Sequence, residues 1–107
     1  MAMNSLRTVV VNGFPLIGLV RPTYVNARVL AASTAEAFTV PTGAKYVLLT
    51  ANVDFWANFT TTAAVPAADI TDGSSPVLNP CLRILDGCAS ISVISVVAGI
   101  VTAEFYM

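Results

Sequence analysis

The sequence predicts an all-β protein, a single-domain β-sandwich or jelly-roll-like fold of roughly seven to nine short antiparallel strands. Three observations carry that reading. No segment combines helical spacing of apolar residues with helix caps, period-two alternation dominates instead, and turn signals punctuate the chain at short intervals. A length of 107 residues sets one domain, because a chain of this size buries one core.

Residues 6–11 and 16–20 form the first strand candidates, separated by the turn signal Asn12-Gly13. Candidates at 27–32 and 37–40 follow, and Pro41-Thr42-Gly43 closes the second of them. The clearest alternation runs over 46–60, where Val47, Leu49, Ala51, Val53, Phe55, Ala57 and Phe59 are apolar while Thr50, Asn52, Asp54, Asn58 and Thr60 are polar. Such a run is too long for one strand, so a bend over 51–54 is expected to split it without losing alternation. Tyr46, Leu48 and Trp56 are the apolar exceptions on its outer face. Residues 63–80 hold three of the six prolines and the Asp-rich stretch, and are expected to form one long loop. Strands at 82–85, 91–97 and 100–106 complete the set. Asp86-Gly87 is expected to make a two-residue hairpin that pairs Leu85 with Cys88 and sets Cys81 opposite Ser92. Gly99 is expected to turn the last two strands into a terminal hairpin, with Val101, Ala103 and Phe105 facing in and Thr102, Glu104 and Tyr106 facing out.

Composition narrows the function classes. Hydrophobic residues make up 56% and charged residues 10% of the chain, against about 45–50% and about 25% in an ordinary soluble domain. A surface this short of charge is expected to be covered in part by other protein. Five basic residues (Arg7, Arg21, Arg28, Lys45 and Arg83) are scattered and the net charge is −1, so no cluster exists to neutralise phosphates and no nucleic-acid partner is expected. The apolar stretch 88–103 is shorter than the roughly 20 residues of a spanning helix, and the stretch 8–20 is broken by Asn12, Gly13 and Pro15. The chain is therefore expected to be soluble, unprocessed and without a membrane partner. Because the hairpin register keeps Cys81 and Cys88 apart, both are expected to be small buried thiols in a reducing compartment.

Catalytic readings lack their actors. The chain has no histidine, which removes the usual general base and the commonest metal ligand and makes a Ser-His-Asp triad impossible. Asp54 and Glu104 are a carboxylate pair in principle, but each sits alone on an outer strand face and is expected to be solvated surface charge. Asp69, Thr71 and Asp72 offer oxygens to a hard cation, yet they lack the further acids of a calcium loop, and a turn accounts for them. No metal, cofactor or catalytic residue is expected. Asn58-Phe59-Thr60 matches a glycosylation acceptor that matters only on a secretory route. Trp56 is a sugar-stacking candidate, although Phe55 and Phe59 point to the opposite face by parity.

The run FTVPTGAKYVLLTANVDFW, then VPAADITDGSSPVLNP, then LRIL and ISVISVVAGIVTAEFYM, resembles small virion proteins of tailed bacteriophages, in particular capsid decoration or cement proteins. The likeness covers about two thirds of the chain, from Phe38 onward, and leaves residues 1–37 as a possible arm or additional strands. It implies a non-enzymatic protein that binds in many copies outside a phage head. Implied partners are the major capsid protein and further copies of itself, as a homotrimer, in a virion assembled in the host cytoplasm. Tail, neck or fibre-base structural proteins and carbohydrate-binding β-sandwich modules are the alternatives. The contact residues expected are Tyr46, Leu48, Trp56, Asp69, Asp72 and Pro76, together with the N-terminal segment.

Overall fold

The structure, a computed structural model, describes residues 2–6, 9–11, 14–16 and 20–107, with 9–11 and 14–16 described by their backbone. Strands β1 (Val9–Val11) and β2 (Phe14–Leu16) pair antiparallel with Val11 opposite Phe14. β1 falls within the first expected strand, 6–11, whereas β2 begins two residues before the second, 16–20, and shares only Leu16 with it; residues 7, 8 and 17–19 and the Asn12-Gly13 turn lie outside the described residues.

Eight further strands build the body: β3 (Val25–Leu30), β4 (Glu36–Thr39), β5 (Tyr46–Ala51), β6 (Trp56–Asn58), β7 (Val77–Leu78), β8 (Leu82–Ile84), β9 (Ser90–Ile94) and β10 (Gly99–Tyr106). They form two four-stranded antiparallel sheets, ordered β3-β10-β5-β8 and β4-β9-β6-β7. Pairing is nested: β6 with β7, β5 with β8, β4 with β9 and β3 with β10, so the chain is one long hairpin whose successive strand pairs alternate between sheets. Rolling that hairpin up adds the ladders β10–β5 and β6–β9. This is the strand order of a jelly roll.

Alternation places the core as the sequence indicates. Val47, Leu49, Val101, Ala103 and Phe105 from one sheet meet Phe38, Ala57, Ile91 and Val93 from the other, all at most 2% exposed. The long alternating run does split. β5 ends at Ala51 and β6 begins at Trp56, and the bend between them carries the chain from the first sheet to the second while Phe55 stays in the same core.

Both expected hairpins are corrected. Asp86 and Gly87 adopt positive φ (48° and 83°) and Cys88 N–H donates to the Leu85 carbonyl, which is the turn the dipeptide encodes. The strands it joins do not pair. β8 lies on β5 and β9 lies between β4 and β6, so Ser92 faces Ala37 and Asn58 rather than Cys81. Gly99 likewise opens β10 beside β3 and β5 and not beside β9. Its lack of a side chain has another cause: a Cβ there would drive into the Val53 methyls at the β5–β6 bend, while the neighbouring Ile100 N–H donates to Asn52 Oδ1 at 2.8 Å. Cys81 is exposed and Cys88 half-buried, so the expectation of two buried thiols fails for Cys81; both are free. The expected loop 63–80 also contains the short strand β7.

Tyr106 also departs from the expected placement. Parity points it outward opposite Tyr46, yet it is 1% exposed and its hydroxyl donates to the Val20 carbonyl at 3.0 Å. The N-terminal residues close this end: Met107 N–H donates to the Asn4 carbonyl, Leu6 N–H to the Met107 carbonyl, and Met3 packs on the core.

Two outcomes test this packing. Gly99→Ala is expected to lower stability by about 1–3 kcal/mol through overpacking against Val53, read from urea denaturation midpoints. Burial, with the Glu104 charge adding, holds the Tyr106 hydroxyl above its ordinary pKa of 10.0, so the folded state keeps the proton after the unfolded chain has lost it. That stabilisation is full below about pH 10 and lost as pH rises through the folded value. Tyr106→Phe is expected to show a shallower loss of stability in that alkaline window, and an unchanged slope would refute the assignment.

Candidate interaction surface

The two outer faces of the sandwich differ. On the β4-β9-β6-β7 sheet, parity turns Ser92, Ile94, Trp56, Asn58 and Leu78 outward. Ser92, Ile94 and Asn58 are nonetheless only 7–9% exposed. The connection 59–76 folds back over them. Ala63 N–H donates to Ser92 Oγ at 2.8 Å with Ala63 itself buried, and Asn58 Oδ1 accepts from Thr60 N–H, Thr60 Oγ1 and Thr61 N–H at 2.9 Å each. The same bonds occupy the side chain of the glycosylation triplet.

On the β3-β10-β5-β8 sheet the outer face is mostly apolar, closed by the N-terminal residues at the Tyr106 end and exposed along the edge strands. Register puts Val25, Ala27 and Val29 on β3 beside Glu104, Thr102 and Ile100 on β10. Next come Leu48 and Tyr46 on β5, then Leu82 and Ile84 on β8. Val29 and Ile84 are 76% and 74% exposed, and among the described residues Glu104 is the one charged side chain that register places on the face.

Both edge strands of this sheet run against the usual amphipathic rule. Arg28 and Asn26 stand opposite the core residues Val101 and Ala103, and Arg83 opposite Val47, which turns the valines, Leu82 and Ile84 to solvent. The guanidiniums escape at the sandwich margins, as long cationic stems allow. Arg28 Nε donates to the Ala37 carbonyl at 2.8 Å and its Nη1 lies 4.0 Å from Glu36 Oε2, while Arg83 Nη1 donates to the Leu82 carbonyl.

The expected contact residues therefore fall on two surfaces. Tyr46 and Leu48 share the outer face of the β3-β10-β5-β8 sheet, half-buried. Trp56 is half-buried on the opposite sheet, flanked in register by Leu78 and Ile94. Asp69 and Asp72 are exposed in the covering loop and Pro76 is buried where that loop returns. Val25, Val29, Leu82 and Ile84 were not singled out by the sequence reading. Their period-two spacing is visible, but spacing alone does not say which side of an edge strand meets the core.

A cleft of about 500 Å³ lies between the β5–β6 bend and Asn79–Cys81, and the Asn52 and Asn79 side chains beside it are committed to the fold. Asn79 Oδ1 accepts from Phe55 N–H and its Nδ2 donates to Asp54, so Asp54 and Glu104 serve separate surroundings. Hydrogen bonds from the Ser74 hydroxyl and backbone N–H hold the Asp72 carboxyl below its ordinary pKa. Among the described residues, no three acidic, cysteine or histidine side chains gather as a metal site, and no helix is long and apolar enough to cross a membrane. Comparison with family models, curated proteins and solved structures finds no match to this chain.

Ser92→Ala leaves the buried Ala63 N–H without a partner. It is expected to lower stability by about 1–3 kcal/mol and to speed proteolysis within 63–76, followed by mass spectrometry of the first cleavage products.

Proposed function

We propose that this chain is a non-enzymatic structural subunit of a virion, a decoration protein that seats the outer face of its β3-β10-β5-β8 sheet on a phage head and links neighbouring copies of the major capsid protein. One observation carries the proposal: Val25, Val29, Ile100, Leu82 and Ile84 stand exposed together on one outer face, with a single carboxylate among its strands, whereas the connection 59–76 bonds over Ser92 and Asn58 on the other. Burying exposed valine, leucine and isoleucine side chains is worth roughly 25 cal/mol per Å² removed from water, so this face gains most by meeting another apolar surface. A rigid sheet loses little order on docking, and repetition over a shell multiplies weak contacts.

Further support comes from the residues that point away from catalysis. The chain contains no histidine, and Asn52 and Asn79 beside the cleft at the β5–β6 bend hold backbone groups. Jelly rolls recur in capsid domains as well as in lectins and enzymes, so the fold is compatible with the reading and does not select it. Trp56, set between Leu78 and Ile94, gives no separate support to a sugar-stacking role.

Val29→Asp with Ile84→Asp places charge on two side chains already three-quarters exposed, so the fold is expected to persist. Co-sedimentation with heads assembled without this chain is expected to fall at least about tenfold, equivalent to about 1.4 kcal/mol of docking free energy. Undiminished binding by the double variant would overturn the assigned face. Antibody labelling confined to tails, or no association with particles, would overturn the decoration role.

A further inference from the structure

The four margins of the sandwich are unequal. β7 has two residues and β8 three, too short to template another strand. On β4 the Ala37 carbonyl already accepts from Arg28. β3 is different: six residues long, without proline, paired on one side by β10, and exposed from Val25 through Val29. Among the described residues nothing hydrogen-bonds along its other side.

The geometry points to a second copy of this chain as its occupant, β3 pairing antiparallel with β3 of the partner subunit across a two-fold axis through Ala27. Two four-stranded sheets then join into one continuous sheet. Directly opposite residues in an antiparallel pair share a face, so the axis must pass through a residue and not between two. Centred on Arg28, the register opposes two guanidiniums. Centred on Asn26, it leaves Val29 facing Thr23 beyond the strand. Centred on Ala27, it sets Val25 against Val29 of the partner subunit and Arg28 against Asn26 of the partner subunit, with the smallest side chain on the axis.

An inward-facing charge often guards an edge against such pairing. Here Arg28 is held by Ala37 and Glu36 within its own copy, and the Ala27-centred register keeps it from its equivalent. A head-to-tail ring needs two different complementary surfaces, whereas a single open edge closes on itself, which favours a dimer over the trimer implied by the resemblance. One strand pair buries less than the roughly 1,200 Å² of a standard interface, so the dimer is expected to dissociate in the micromolar range. This inference goes beyond docking on a shell and is read on the isolated protein, so either can fail without the other.

Analytical ultracentrifugation from about 1 μM to about 1 mM is expected to show a monomer–dimer equilibrium. Ala27→Lys sets two ammonium groups on the axis at an exposed position, and is expected to weaken dimerisation at least about tenfold with an unchanged circular dichroism spectrum. In a Cys81→Ser background, Ala27→Cys is expected to yield a disulfide-linked dimer on mild oxidation, and Ala37→Cys on β4 is not. A monomer at every concentration, a trimer, or a dimer indifferent to Ala27→Lys would overturn the proposal.

Discussion

The structure depends on pairing between distant segments. Each strand of the body finds its hydrogen-bond partners across the loop that separates β6 from β7, and the outermost pair joins Val25 to Glu104. No two neighbouring strands other than β6 and β7 share a ladder in the sandwich. Such a fold must close its largest loops before the β3–β10 contacts reward it, which makes it a slow-folding topology held by cooperative burial. The reward is a core in which Val47, Ala57, Ile91, Val93, Val101, Ala103 and Phe105 are all 0% exposed.

Local chemistry was legible in the residues and long-range pairing was not. Alternation over 46–60 located two strands and their shared core face, because side chains on successive residues must diverge whichever partner the strand finds. Asp86-Gly87 encoded its turn correctly, since positive φ at both positions follows from those residues. The same turn serves a hairpin or a corner between sheets, and only the competing β5–β8 and β6–β9 ladders decide between them. β3 was placed two residues late, at 27–32, because Ala31-Ala32 extends its apolar run beyond Leu30.

The candidate surface was legible only in outline. Scarcity of charge implies apolar surface without saying where it lies, and Tyr46 and Leu48 do lie on the outer face of the β3-β10-β5-β8 sheet. Trp56 belongs to the other face, because the bend at Asn52 and Val53 moves the second half of the alternating run into the second sheet. Residues 63–80 read as a loop, but its closure over Ser92 rests on a bond spanning 29 residues. Edge strands defeat parity arguments for a physical reason. Their inner side opens to water at the margin, so Arg28 and Arg83 can stand there at small cost while valine, leucine and isoleucine take the outside.

The position of β10 between β3 and β5 has a consequence for synthesis on the ribosome. Until residues 99–106 have left the exit tunnel, β3 has no neighbour within its sheet and β5 is paired on one side only. The growing polypeptide therefore holds the β3 ladder and one side of β5 open until residues 99–106 are available, and the sandwich closes only around that strand.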